Sequence, residues 1–176
     1  MSVRETLGAE GALAAALAPR PAPPLLAPLV TPPLEPRQAD GLDMILEGFL
    51  LHHGRPRHLV PADRAAAVLA GDYCYAAGLI RIAAAGDLFH VRALADLIAM
   101  GSALVAAGRR DGLAPLWRAT AAAMAARSGG GGAPAAGDYR AGCELMRGGE
   151  VAAGVRRLER LAAAVPSTPE LSEVLA

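Results

Sequence analysis

Aromatic side chains make up only 3% of the chain. The β-branched and aromatic residues that build strands are thin throughout, which argues against a sheet protein. There is no basic excess, since 17 Lys and Arg balance 17 Asp and Glu. That balance leaves no electrostatic footprint for nucleic acid. Two cysteines, Cys74 and Cys143, are too few for a disulfide or metal framework. Both lie in helical patterns, where a thiol packs as a small buried hydrophobe. No run of membrane-spanning length is free of charge. The most apolar one, Ala65 to Ala85, contains Asp72 and Arg81, each costly at a bilayer centre, so no span is expected. The short apolar run Gly11 to Ala18 follows Glu5 and Glu10 and runs into Pro19. It reads as an exposed helix, not a signal peptide, and a cytoplasmic protein is expected.

What the chain does contain is alanine and leucine. Hydrophobic residues reach 53%, and these two are the main contributors. Both are strong helix formers. An all-α bundle of about six to eight helices is therefore predicted. Ser2 and Glu5 have capping-box spacing, opening a helix expected to reach about Ala18. Residues 19–38 read as an extended linker, because eight of the 14 prolines fall between Pro19 and Pro36. Leu25, Leu26, Leu29 and Val30 should hold it against the body. The rest, residues 39–176, reads as a helical domain.

From Asp40 the period is helical. Leu42, Ile45, Leu46, Phe49 and Leu50 share one face, and Asp40, Asp43 and Glu47 form a polar stripe opposite. This helix should end at Gly54 and pack on the next, which opens at Pro61 and stops at Gly86. Asp87 caps a helix through Ala107, and Asp111 one through Arg127, with Pro115 tolerated in the first turn. Residues 128–137 read as a flexible glycine-rich linker. Short helices should follow over Asp138 to Met146 and Glu150 to Val165. Ser167 and Glu170 suggest a last capped helix.

The stretch GLDMILEGFLLHHGRPRH…AAAVLAGDYCYAAGLIRIAAAGD resembles the trans-isoprenyl diphosphate synthase, or polyprenyl synthetase, family. Its members carry Asp-Asp-x-x-Asp, then Arg-Arg-Gly-x-Pro, then Ala-Val-Leu-x-Gly-Asp. Here Gly54-Arg55-Pro56 matches the second motif and Ala67 to Asp72, ending on Gly71-Asp72, the third. Asp43-Met44-Ile45-Leu46-Glu47 then falls at the first motif, and His52 and His53 replace its two arginines. Arg118-Ala119-Thr120-Ala121 is similar to the family's Arg-Lys-Thr-Ala. The second Asp-rich motif is missing.

The resemblance implies chemistry that this chain has eroded. Such enzymes ionise an allylic diphosphate with Mg²⁺ held by two facing Asp-rich motifs, and Mg²⁺ needs oxygen ligands in tight octahedral geometry. Asp43 and Glu47, four apart on one helix face, are the only remaining candidate metal ligands. Met44 removes the middle carboxylate. His52 and His53 cannot grip a diphosphate as bidentate arginines would, and Arg55 stands alone. Adjacent histidines diverge on a helix, so His52, His53 and His58 do not make a zinc site. The expectation is a catalytically inactive protein without a cofactor. It would act as a homodimer or as a partner subunit of a prenyl diphosphate synthase, through small-residue faces such as Ala93, Ala95, Ala99 and Ala103. The alternatives are an isoprenoid-binding module lined by Leu46, Phe49 and Leu50, a residual prenyltransferase completed by another chain, or a generic helical interaction protein.

Overall fold

The computed structural model describes residues 2–30, 33–130, 132–166 and 168–176. Among these the protein is all-α, with ten α-helices and one isolated bridge between Leu17 and Leu59. The chain divides into two compact units, residues 1–28 with 36–86, and residues 29–35 with 87–176.

The first unit opens with α1 (Val3–Ala9), whose Ser2 and Glu5 form the expected capping box. The helix stops nine residues early. Glu10 is extended (φ −94°, ψ 112°), and only one short turn, α2 (Gly11–Ala14), follows. Glycines at 8 and 11 flank this break, and glycine weakens a helix on either side. The proline-rich stretch, which passes from the first unit into the second after residue 28, is mostly irregular, with Leu25, Leu26 and Val30 buried. It nevertheless contains one helical turn, α3 (Ala27–Val30). The following helix, α4 (Pro36–His53), begins four residues before Asp40, with proline in the first position, where its missing N–H costs nothing. α5 (Arg64–Ala83) is capped by Asp63, not opened by Pro61.

Glycines set the register of α4 on α5. Gly41 and Gly48 are seven apart, as are Gly71 and Gly78, and they pair antiparallel. A Cβ on Gly78 would lie 2.8 Å from the Gly41 carbonyl oxygen, and one on Gly48 would lie 3.0 Å from that of Gly71. The backbones therefore touch. α1 and α2 cover the end of this pair, where Val3 and Leu7 join Met44, Leu51, Leu59, Ala67, Ala70 and Cys74 in one apolar cluster.

The second unit comprises α6 (Leu88–Ala106), α7 (Leu113–Ser128), α8 (Ala133–Arg147), α9 (Val151–Ala162) and α10 (Pro169–Leu175). Asp87 caps α6 as expected. Asp111 instead sits in a 3-10 turn over Arg110–Gly112. α8 starts inside the glycine-rich stretch, with proline near its N-terminus, so that linker is shorter than the sequence suggested. Thr168 caps α10; Ser167 lies outside the described residues. Tyr139 Oη donates to the Ala93 carbonyl at 3.0 Å and accepts from Thr120 Oγ1 at 3.0 Å, tying α6, α7 and α8 together. Cys74 and Cys143 are buried free thiols.

By length and composition α5 and α6 could each cross a membrane, with mean hydropathy of 1.3 and 1.5 over their most apolar windows. Only 39% and 33% of those windows are buried, so both helices keep an uncovered apolar face.

Gly78→Ala tests the α4–α5 contact. Its methyl would meet both the Gly41 oxygen and Ile45 at 2.8 Å, and overpacking of that kind costs about 2 kcal/mol. Urea denaturation should show the loss, while Gly137→Ala, which meets nothing within 4 Å, should be neutral or stabilising.

Candidate functional site

Asp43 and Glu47 lie one turn apart on α4, and the structure places neither on a solvated face. They are 3% and 1% exposed. α4 is buried nearly all round, with 13 of its 18 residues in the interior, so the predicted polar stripe does not exist as a surface. Loops fold over it.

Each carboxylate organises one of those loops. Asp43 Oδ1 accepts from the backbone N–H groups of Leu25 and Leu26 at 2.8 and 3.0 Å, and Oδ2 from Ala27 at 2.9 Å. Glu47 Oε1 accepts from His58 and Leu59 at 2.8 and 3.1 Å, and Oε2 from Arg57 at 2.9 Å. Six backbone donors surround two side chains. The half-buried Arg57 links the two loops, donating from Nη2 to the Pro23 carbonyl at 2.7 Å. Burial pushes both carboxyl groups above the ordinary carboxylate range, opposed by these N–H donors and the Arg57 guanidinium. All six backbone partners are donors, so the geometry suits the ionised form.

The donor set does not fit Mg²⁺. A hard cation takes lone pairs from water-accessible oxygens, and here those lone pairs are directed at peptide N–H groups. Among the described residues no three His, Cys, Asp or Glu side chains gather closely enough to hold a metal.

The other sequence candidates serve the α4–α5 contact. The His52 ring stacks on Tyr75 at 5.1 Å, with planes 8° apart. Its Nε2 lies 3.2 Å from Asp72 Oδ1, without the alignment of a hydrogen bond. A Cβ on Gly71 would come within 2.6 Å of that nitrogen, so Gly71 is the residue that admits His52. Asp72 itself is exposed, with 64% of its side chain in solvent. His53 packs on Phe49 at 4.8 Å, and Arg55 is exposed. In the second unit, Arg118 donates to the Ala162 and Val165 carbonyls at the end of α9. Ala119 beside it is fully buried. Leu46, Phe49 and Leu50 are each about 1% exposed and form packed core.

The sequence reading missed Arg57, Arg64 and His58 as organising residues. Arg64 donates to the carbonyls of Leu51 and His52, closing the C-terminal end of α4. His58 is 4% exposed with both ring nitrogens lacking a hydrogen-bond partner. Arg57 and His58 on the loop after α4, and Arg64 where α5 opens, follow a helix bearing three acids, Asp40, Asp43 and Glu47, and were the available signal.

Glu47→Gln should destabilise the protein by about 3 kcal/mol, because an amide NH₂ would replace one acceptor among buried N–H donors. Urea denaturation reads this directly. Millimolar Mg²⁺ should leave the midpoint of the unsubstituted protein unchanged.

Comparison with known proteins leaves these features to be read on their own: no protein-family model, curated protein or solved structure matches the chain.

Proposed function

We propose that this chain is a non-catalytic relative of the polyprenyl synthetases that works by binding a protein partner, either a second copy or a prenyl diphosphate synthase subunit. The observation that carries the non-catalytic half is the engagement of Asp43 and Glu47 by six backbone N–H groups. The two carboxylates left of the first Asp-rich motif hold loops. Charge neutralisation of a leaving diphosphate needs cations aimed at it, and His52, His53 and Ala119 supply none at the positions the resemblance assigns.

The partner half rests on uncovered helix faces. Leu69 and Ile80 on α5 are 70% and 65% exposed, and Leu88 on α6 is 69% exposed. Ala95, Ala99 and Ala103 continue the α6 face outward, whereas Ala93 turns into the core. Small side chains let a partner helix approach closely, and exposed apolar side chains on helix faces are what such a partner would cover.

One observation favours a second reading, an isoprenoid-binding role. An apolar cavity of about 340 Å³ opens in the second unit, lined by Met100, Ala103, Leu104, Ala107, Met146 and Val151, with Arg147 at its edge.

Light scattering at micromolar concentration, alone and with a candidate synthase, tests the partner reading. A dimer or heteromer is expected, and Ala99→Glu should shift it toward monomer. A monomer under both conditions would overturn it. With Mg²⁺, isopentenyl diphosphate and an allylic diphosphate, the isolated chain should form no elongated product; elongation abolished by Asp43→Ala would contradict the account.

A further inference from the structure

His58 is the least satisfied polar group in the first unit. The residue is 4% exposed, and neither ring nitrogen has a hydrogen-bond partner. A neutral imidazole carries one donor and one acceptor, and leaving both unmade in the interior is costly. The residue is also a junction. Its backbone N–H donates to Glu47 Oε1 at 2.8 Å, and its carbonyl accepts from Ala18 N–H at 2.8 Å. Val60 N–H donates to the Ala16 carbonyl at 2.7 Å just beyond it. Residue 58 therefore fastens the N-terminal arm, residues 3–18, to the strap that α4 holds.

The charges around the ring are unfavourable to a third cation. Arg57 on the strap and Arg4 on α1 both act on it, and burial adds to their effect, so the imidazole is held down at about 4 against an ordinary 6.5. Glu47 on α4 is the acid bound to this residue, but it meets the backbone N–H. Asp43 acts on Arg57, the nearer cation.

We propose that His58 is an acid-sensitive latch: when its ring takes up a proton it leaves the interior, and the N-terminal arm is released from the α4–α5 pair. The arm covers Met44, Leu51, Ala67, Ala70 and Cys74, so release uncovers an apolar surface. The sign follows from linkage. The released form binds the proton more tightly, so the latched form is fully favoured above pH 6.5 and loses ground as pH falls toward 4. The buried acids Asp43 and Glu47, whose carboxyls are raised, oppose this trend, so the variant comparison isolates His58.

Amide hydrogen exchange, corrected for the intrinsic pH dependence, tests the latch at pH 7 and pH 5. In the unsubstituted protein, protection of residues 3–18 should fall by about ten-fold or more relative to α7. His58→Leu, which keeps the volume and cannot charge, should abolish that fall. Unchanged protection in the unsubstituted protein, or the same fall in the variant, overturns the proposal. If His58→Leu does not fold, NMR titration of the unsubstituted imidazole decides. Its protonation must track loss of arm protection, and an arm that stays protected after the ring is charged overturns the latch.

Discussion

A carboxylate leaves water at a cost of several kcal/mol unless donors replace its hydration shell. α4 meets that requirement twice, one turn apart, and both times the donors are peptide N–H groups of segments that flank it in the chain, Ala27 being the first residue of α3. Asp43 gathers residues 25–27, and Glu47 gathers residues 57–59. The loops in turn exclude solvent from the acids. Neither half of the arrangement is stable without the other. The N-terminal arm follows from it, because the strap held by Glu47 is the strand of backbone to which residues 16–18 attach.

The same helix packs on α5 through Gly41 and Gly48. Backbone contact at Gly71 and Gly78 leaves no tolerance for sliding, so the acids are fixed relative to the loops they hold. A helix enclosed on every side can be a scaffold or a catalytic wall, but a catalytic wall needs lone pairs facing a cavity. Here they face N–H groups. The outward surfaces of α5 and α6 carry exposed apolar side chains, Leu69 and Ile80 on the one and Leu88 on the other.

Much of the helical order was legible in the sequence, because local signals specify it. Ser2 with Glu5, Asp87 as a cap, and Gly86, which adopts φ 76°, each act within a few residues. The break at Glu10 and the early start at Pro36 carry local marks too, Gly8 with Gly11 and a proline at the first helical position, which periodicity alone does not weigh. The burial of Asp43 and Glu47 was not legible, since it depends on segments distant in the chain. Periodicity places them opposite Leu42, Ile45 and Phe49, and only the folded loops reveal that the opposite side is also interior. The antiparallel glycine register was available in the seven-residue spacings and predicts the meeting of His52 with Gly71. The uncovered face of α6 was partly legible: Ala95, Ala99 and Ala103 do point outward, while Ala93, two residues before Ala95, does not.

The central claim is that Asp43 and Glu47 are anchors for backbone and not ligands for metal. Carbon-detected NMR of the side-chain carboxyl groups during titration with Mn²⁺, a paramagnetic substitute for Mg²⁺, addresses those atoms directly. The account predicts that the two resonances keep their positions and widths while exposed carboxylates such as Asp72 and Glu144 broaden weakly and nonspecifically. Selective broadening of Asp43 and Glu47 at low Mn²⁺, reversed by Mg²⁺, would contradict it.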